Sequence, residues 1–391
     1  MMISMRAVLV RIFTSLILIG SGLATVSAQV PIPAPPAIGA SSYILVDFHS
    51  RDVVAERESQ LAVEPASITK LMTSYVAFRE IAQGNLSLDD EVLVSEKAWR
   101  TQGSRMFIEV GNRVRVEDLL KGIIIQSGND ASVAIAEHIA GDESVFAAMM
   151  NEQAAALGMV NTTYTNATGL PDPEQSTTAR DVALLARALI EEFPEFYAWY
   201  SEREFTFGGI RQHNRNRLLW RDPSVDGLKT GHTSSAGYCL VTSASRDGMR
   251  LISVVMGTDS EEARATASQA LLNYGFRFFE TYQLYDAGAE LSRERIWRGR
   301  GNEVPLGLAD ELFVTVQRGR YDALQARLEL PDTLSAPVTR GAALGQLVIE
   351  LDGEAVATRP LIALADVEEA GFFGRSSDGL RLWLGGLFGR N

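Results

Sequence analysis

Apolar positions follow two different patterns along the chain, continuous runs and a three- and four-residue spacing, and each pattern predicts a different kind of element. An apolar run at residues 42–48 predicts a strand, which returns at residues 53–55 across a Ser-Arg-Asp turn. The next stretch has apolar side chains three and four positions apart, at Leu71, Tyr75, Phe78 and Ala82, and this predicts a helix with one buried face. The same spacing predicts helices at residues 131–139 and 145–157, and further helices are predicted at residues 118–125, 179–190 and 261–279.

Strand-forming residues return at residues 228–232, 236–245 and 249–257, with a hairpin turn at residues 246–248. Strands at both ends of a helical middle predict an α/β (α+β) domain over residues 41–281. Its first and last segments share one antiparallel sheet, and the helices flank that sheet. Short strand-like runs then predict a small all-β domain over residues 282–367; they lie at residues 304–307, 312–316, 326–330, 347–351 and 361–365.

Both ends of the chain have patterns that are typical of export and of membrane contact. Residues 1–28 combine Arg6 and Arg11, an apolar run and small residues before a cleavage site, which predicts a secretory signal peptide rather than an uncleaved anchor. A Pro-rich leader follows at residues 29–40. Residues 371–391 place Leu380, Trp383 and Leu387 on one helical face with basic residues nearby. This pattern predicts an amphipathic helix lying in a membrane interface; the alternative is a terminal helix docked on the protein's own core.

Composition excludes several classes of function. The formal net charge is −13, and it becomes −15 without the signal peptide, so nucleic acid is not an expected partner. Cys239 is the single cysteine and excludes an intrachain disulfide; its apolar neighbours predict a buried core thiol. The four histidines are scattered, so we expect no metal site and no cofactor.

The candidate chemistry begins with a Ser-x-x-Lys unit. Ser67 and Lys70 are separated by just under one helical turn, so both fall on the same face of the predicted helix. Serine is a weak nucleophile that needs a base, and a neutral lysine amine is able to serve as one. Burial and a second cation such as Lys229 both lower a lysine pKa. Alone, the unit is more typical of a solvated first helical turn than of a catalytic pair.

Two further motifs strengthen the functional interpretation. Ser127 and Asn129 belong to a Ser-Gly-Asn unit, in which the serine is able to relay a proton and the amide is able to bond a peptide group. Lys229, with Thr230, is suited to an anionic group of the substrate, and Gly231 allows a ligand backbone to approach the strand. The backbone N–H groups of Ser67 and His232 are the candidate oxyanion donors.

These three motifs, in this order, resemble those of penicillin-binding proteins and class A β-lactamases. The longer sequence segments around these motifs resemble those of the low-molecular-mass penicillin-binding proteins, which are D-alanyl-D-alanine carboxypeptidases of the serine peptidase type. The resemblance covers nearly the whole chain. The segments that carry the resemblance lie at residues 65–70, 124–130, 166–170, 214–220, 225–233 and 274–280.

The resemblance implies a penicillin-binding/β-lactamase-like fold and a role for each candidate residue. Ser67 attacks the carbonyl between the two terminal D-alanines of the peptidoglycan stem peptide, Lys70 accepts its proton, and Ser127 relays that proton to the leaving D-alanine. Lys229 binds the terminal carboxylate together with Thr230 and Thr233. β-Lactams acylate the same serine. The resemblance also places Arg215 and Arg264 at the edge of the site, where surface arginine is the alternative interpretation.

The resemblance further implies a periplasmic enzyme, peripheral on the outer face of the inner membrane, with a role in cell-wall biogenesis and cell shape. Ser176 departs from the family, which often has a histidine or an aromatic residue there; this affects the expected deacylation rate. Three alternatives remain: a D,D-endopeptidase that cuts cross-links, a β-lactamase, and a non-catalytic envelope scaffold. A β-lactamase would need a carboxylate to activate the deacylating water, and the sequence has no Glu-x-x-Leu-Asn motif between Ser127 and Lys229.

Overall fold

The structure is a computed structural model that describes residues 32–371. The predicted signal peptide at residues 1–28 lies outside the described residues, and so does the predicted tail helix except for Gly371. Residues 32–40 of the predicted leader have no regular secondary structure. Within residues 32–371, none of the helices is both long enough and apolar enough to span a bilayer.

Strands and helices follow one another from residue 42 onward. The strands are β1 Ser42–Asp47, β2 Val53–Arg57, β3 Glu91–Leu93, β4 Arg113–Arg115, β5 Glu204–Phe207, β6 Ile210–His213, β7 Val225–Thr233, β8 Gly237–Arg246, β9 Met249–Thr258, β10 Phe279–Tyr285, β11 Glu290–Trp297, β12 Glu303–Gly307, β13 Leu312–Gln317, β14 Leu324–Glu329, β15 Leu334–Ser335, β16 Ala343–Leu351 and β17 Glu354–Ala363. The α-helices are α1 Thr69–Ala82, α2 Glu96–Arg100, α3 Val116–Lys121, α4 Asn129–Ala140, α5 Glu143–Ala156, α6 Ala179–Glu192, α7 Pro194–Tyr197, α8 Leu218–Arg221 and α9 Glu261–Phe278. A 3₁₀ turn at Ala66–Ile68 precedes α1, and a π-helical turn at Gly122–Gln126 follows α3.

A five-stranded antiparallel sheet with the order β2-β1-β9-β8-β7 forms the centre of the first domain. Ser42 at the start of β1 pairs with Met256 near the end of β9. The prediction that the first and last segments share one antiparallel sheet is therefore confirmed. Strand β7 lies at the edge of this sheet, so one of its sides is not paired to another strand in the sheet.

Both faces of the sheet are covered, because its strands are apolar on both sides. Ile44 and Ile252 belong to the large helical core on one face. Their neighbours Leu45 and Leu251 point the opposite way, as strand geometry requires, and meet α9. A Cβ on Gly275 would lie 2.4 Å from Leu251, so this glycine allows α9 to pack directly on the sheet.

Helix α1 is more deeply buried than its sequence predicts. Every residue from Thr69 to Phe78 is buried, including the polar side chains of Lys70 and Thr73. Ala82, which the apolar spacing assigns to the buried face, is exposed. The prediction of a single buried face is wrong because α4, α5 and α6 all contact α1. The helix therefore holds the amine of Lys70 away from bulk water.

The second domain is all-β, as predicted. Its six-stranded sheet has the order β14-β16-β17-β12-β11-β15, and β10 pairs with β13. The sequence does not predict strands β10, β11 and β15 of this domain, nor the β5–β6 hairpin of the first domain. Strand β11 reads Glu-Leu-Ser-Arg-Glu-Arg-Ile-Trp, and most of its side chains are not buried, so it has no apolar run to mark it. Its position is set by backbone pairing with β12.

Candidate active site

Ser67 lies in the 3₁₀ turn that leads into α1, where its side chain is partly exposed. The preceding residue, Ala66, has a φ of 47°, which is uncommon for a residue with a side chain. Two glycines allow neighbouring segments to pack against this turn. A Cβ on Gly169 would lie 1.8 Å from the carbonyl oxygen of Ala66, and one on Gly231 would lie 3.3 Å from its Cβ. The turn that presents the serine is therefore enclosed by tertiary contacts that exclude larger residues.

The amine of Lys70 contacts the serine hydroxyl. Its Nζ donates to Oγ of Ser67 at 3.1 Å, to Oδ1 of Asn129 at 2.7 Å and to the carbonyl oxygen of Thr168 at 2.5 Å. Burial, assisted by the nearby charge of Arg215, lowers the pKa of Lys70 from 10.5 to about 7. A large fraction of this amine is therefore neutral near pH 7, as a proton acceptor requires.

The carbonyl of Thr168 is a contact that sequence reasoning missed. Its loop is shaped by Asn166, whose Oδ1 accepts from the backbone N–H groups of Thr168 at 3.1 Å and of Gly169 at 2.8 Å. Thr73 on α1 also donates to the carbonyl oxygen of Ala167 at 2.7 Å. These bonds direct the Thr168 carbonyl toward Lys70. The Asn-x-Thr-Gly pattern at residues 166–169 predicts such a turn, although it does not show that the Thr168 carbonyl contacts Lys70.

The second motif forms the junction between the π-helical turn and α4. Ser127 adopts a left-handed conformation and is 3% exposed, and its Oγ has no hydrogen-bond partner among the described residues. Asn129 uses both ends of its amide within the protein, because Nδ2 donates to the carbonyl oxygen of Gln102 at 2.6 Å while Oδ1 accepts from Lys70. The free hydroxyl of Ser127 is therefore available to a ligand, whereas the amide of Asn129 orients the lysine.

Asp130, which follows directly, supports the wall of the site. Its carboxylate accepts from the backbone N–H groups of Met106 and Phe107, both at 2.9 Å. It also raises the pKa of Lys70, against the larger effect of burial. Sequence reasoning assigned it no role. The structure shows that it fixes the loop before β4, from which Gly103 and Ser104 line the site.

Lys229 extends from the edge strand β7 and is 3% exposed. Its Nζ donates to the carbonyl oxygen of Thr230 at 3.1 Å, and no carboxylate pairs with it among the described residues. Burial, followed by the charges of Lys70, Arg215 and Arg264, holds the pKa of Lys229 well below its ordinary value. An anionic group of a ligand would supply the missing counter-charge and favour the protonated amine.

The remaining predicted residues surround the end of β7. His232 is exposed and stacks on the ring of Tyr238 at 4.0 Å. The Oγ1 of Thr233 accepts from the backbone N–H of Ala236 at 3.0 Å. Arg264 is 4% exposed and donates from Nη1 to the carbonyl oxygen of Gly231 at 3.1 Å. The buried position of Arg264 differs from the surface-arginine alternative, whereas Arg215 is exposed.

One cleft of about 310 Å³ brings these side chains together. The predicted residues that line it are Ser67, Ser127, Asn129, Arg215, Thr230, Gly231, His232, Thr233 and Arg264. Lys70 and Lys229 are buried beside it. The lining residues that sequence reasoning missed are Gly103, Ser104, Thr168, Gly169, Leu170, Tyr238 and Glu261.

A larger cavity of about 560 Å³ lies where α9 meets β10, and Arg246, Phe276 and Arg318 contribute to its wall. It contains none of the predicted site residues. The chemistry therefore belongs to the smaller cleft, where a hydroxyl and a lysine of lowered pKa are in contact. In residues 32–371, no group of three His, Cys, Asp or Glu side chains is arranged to hold a metal ion.

Comparison with protein families and solved structures gives consistent matches. A family model described as D-alanyl-D-alanine carboxypeptidase matches residues 29–260, and one described as the C-terminal domain of penicillin-binding protein 5 matches residues 279–369. The carboxypeptidase DacC of Escherichia coli (strain K12) is 44% identical, with 90% of this chain and 91% of that protein covered. The carboxypeptidase DacA of Haemophilus influenzae is 43% identical, with coverage of 90% and 92%. A crystal structure of penicillin-binding protein 5 from Haemophilus influenzae has a TM-score of 0.85 at 42% identity, covering 86% of this chain and 100% of that one.

Proposed function

The chain belongs to the D-alanyl-D-alanine carboxypeptidase family of serine hydrolases, and from this premise we propose that Ser67 forms the acyl-enzyme. The observation that carries the proposal is the 3.1 Å contact between Ser67 Oγ and the Nζ of Lys70, whose pKa is lowered to about 7. The substrate is a peptidoglycan stem peptide that ends in D-Ala-D-Ala, and the reaction removes its last residue.

Acylation begins when the neutral amine of Lys70 takes the proton of the Ser67 hydroxyl. The serine oxygen forms a bond to the carbonyl carbon between the two D-alanines, and the backbone N–H groups of Ser67 and His232 stabilise the oxyanion. The C–N bond then breaks, and the proton passes from Lys70 through the hydroxyl of Ser127 to the departing amine. The unpartnered Oγ of Ser127 supports this relay, because the atom is buried at the cleft and free to bond.

Recognition of the substrate uses the edge strand β7. An extended peptide is able to add to this strand through backbone hydrogen bonds, and Gly231 leaves room for it. Lys229, Thr230 and Thr233 bind the terminal carboxylate, with Arg215 and Arg264 adding positive charge. The lack of an acidic partner for Lys229 among the described residues supports this assignment.

Release of the acyl-enzyme requires water to attack the ester, with Lys70 again neutral and able to accept a proton. A β-lactam acylates the same serine, since its strained amide occupies the position of the scissile bond. Glu261 is the one carboxylate among the described residues that line the cleft, and it is paired with Arg217 at 2.7 Å. We therefore assign deacylation to Lys70 rather than to a carboxylate.

The test is the release of D-alanine from a D-Ala-D-Ala peptide, together with covalent labelling by a penicillin. Ser67→Ala should abolish both activities. Ser104→Ala is the matched control, because Ser104 also lines the cleft but bonds to the carbonyl oxygen of Gln126 instead of a lysine. Labelling that persists in Ser67→Ala would refute the assignment of the nucleophile. Cleavage of cross-linked peptides without D-alanine release, or rapid turnover of a chromogenic β-lactam, would favour an endopeptidase or a β-lactamase.

We also propose that the enzyme is exported to the periplasm and acts on the outer face of the inner membrane in cell-wall biogenesis and cell shape. The signal-peptide pattern at residues 1–28 and the amphipathic pattern at residues 371–391 support this location. Truncation after Glu368 should give an active enzyme that no longer sediments with membranes. If the truncated protein still sediments with membranes, the anchor lies elsewhere in the chain.

A further inference from the structure

Glu261 introduces a negative charge into an otherwise cationic cleft. Among the described residues that line the cleft it is the only carboxylate, whereas Arg215 and Arg264 line the same space and Lys229 lies buried beside it. It stands in the first turn of α9, whose N-cap is Ser260. None of the three sequence motifs includes Glu261, and the proposed reaction does not use it.

The carboxylate of Glu261 lies between two arginines. Its Oε2 is 2.7 Å from Nη2 of Arg217, and its Oε1 is 3.9 Å from Nη2 of Arg264. The first distance is that of a charge-assisted hydrogen bond, whereas the second gives electrostatic attraction without a hydrogen bond. Arg264 itself cannot move far, because Nη1 donates to Gly231 and the guanidinium lies 5.6 Å from the ring centre of Tyr238.

A substrate carboxylate at the end of β7 would share Arg264 with this acid. Two like charges beside one buried cation repel each other, and each weakens the attraction of the cation for the other. We infer that Glu261 is a specificity-determining residue that limits the affinity of the cleft for a free terminal carboxylate. This inference rests on the proposed function, in which Lys229 and its neighbours bind that carboxylate.

Glu262 offers a matched control for the first turn of the same helix. Acidic residues in a first helical turn are common, because they complement the helix dipole. Glu262 has this property too, and it bonds to Arg221 at 2.7 and 2.5 Å, but it does not line the cleft. Replacing each acid by glutamine removes one charge from the same turn. Only the change at Glu261 should alter recognition of the substrate.

The experiment compares the full-length enzyme with Glu261→Gln and Glu262→Gln on a D-Ala-D-Ala peptide and on its C-terminal amide. In Glu261→Gln, the KM for the free acid should fall about two- to fivefold, in line with the strength of a partly exposed charge pair. The kcat for the free acid should change little, and so should the KM for the amide. The difference in KM for the free acid between Glu261→Gln and the unmodified enzyme should become smaller as ionic strength rises. Glu262→Gln should show the kinetics of the unmodified enzyme.

Three results would overturn the inference. The first is an unchanged or raised KM for the free acid in Glu261→Gln; a raised value restricted to peptides with a free amine would indicate that Glu261 binds a substrate cation. The second is an equal fall in Glu262→Gln, which would indicate a general effect of charge. The third is an unmodified enzyme that does not prefer the free acid to the amide. That third result would refute the carboxylate anchor of the proposed function as well, whereas the first two would leave it intact.

Discussion

The rate of acylation should depend on pH through Lys70, because only the neutral amine accepts the proton of Ser67. An ordinary lysine, with a pKa of 10.5, is neutral at pH 7 in about one molecule in three thousand. With the pKa lowered to about 7, roughly half of the Lys70 amines are neutral at that pH. Burial and the charge of Arg215 therefore raise the concentration of the active base roughly a thousandfold.

Arg215→Gln tests this account without emptying a buried position, since Arg215 is exposed. Loss of its positive charge raises the pKa of Lys70. The pH profile of kcat/KM reports pKa values of the free enzyme, so its rising limb should move to higher pH. Burial is the larger cause of the lowered pKa and remains in the variant. The limb should therefore stay far below pH 10.5.

The assay is the second-order rate of penicillin labelling from pH 5 to pH 9, with D-alanine release measured in parallel. Weaker substrate binding in the variant would lower the whole profile, whereas a change in the pKa of Lys70 would move its midpoint. Arg211→Gln is the control, because Arg211 is an exposed arginine on β6 that does not line the cleft. A midpoint that stays in place or moves to lower pH in Arg215→Gln would refute the electrostatic coupling.

Three further predictions follow from the site. Lys229→Gln should reduce kcat/KM for a free-acid peptide roughly ten- to hundredfold, since a charge-assisted bond is lost, and an unchanged preference for free acid over amide would contradict the anchor. Gly231→Ala should slow penicillin labelling while the fold is retained, because the added Cβ would lie 3.1 Å from Ile68 and 3.3 Å from the carbonyl oxygen of Pro65; a labelling rate equal to that of the unmodified enzyme would show that the turn tolerates the methyl group. Thiol reagents should label Cys239 slowly and without loss of activity, because its side chain is fully buried and burial raises its pKa to about 11; rapid labelling with inactivation would contradict a structural role.

Much of the fold follows from local patterns. Continuous runs of strand-forming residues predicted β1, β8 and β9, because these strands are buried on both faces of the sheet. Apolar residues three and four positions apart predicted α4 and α5, because each of these helices packs an apolar face against its neighbours. Strand β11 was not predicted, because its side chains are mostly polar and its position depends on backbone hydrogen bonds to β12. The single buried face expected for α1 was also wrong, because local spacing contains no information about how many elements surround a helix.

The sequence alone placed Ser67 and Lys70 one turn apart and identified the motifs at Ser127 and Lys229 as their companions. It determined the type and the order of the chemical groups, since these depend on residue identity. Only the tertiary structure brought the carbonyl of Thr168 to the lysine and placed Glu261 in the cleft beside Arg264. The lowered pKa of Lys70 also depends on the tertiary structure, because the atoms that exclude water from the amine, and the charge of Arg215, come from distant parts of the chain.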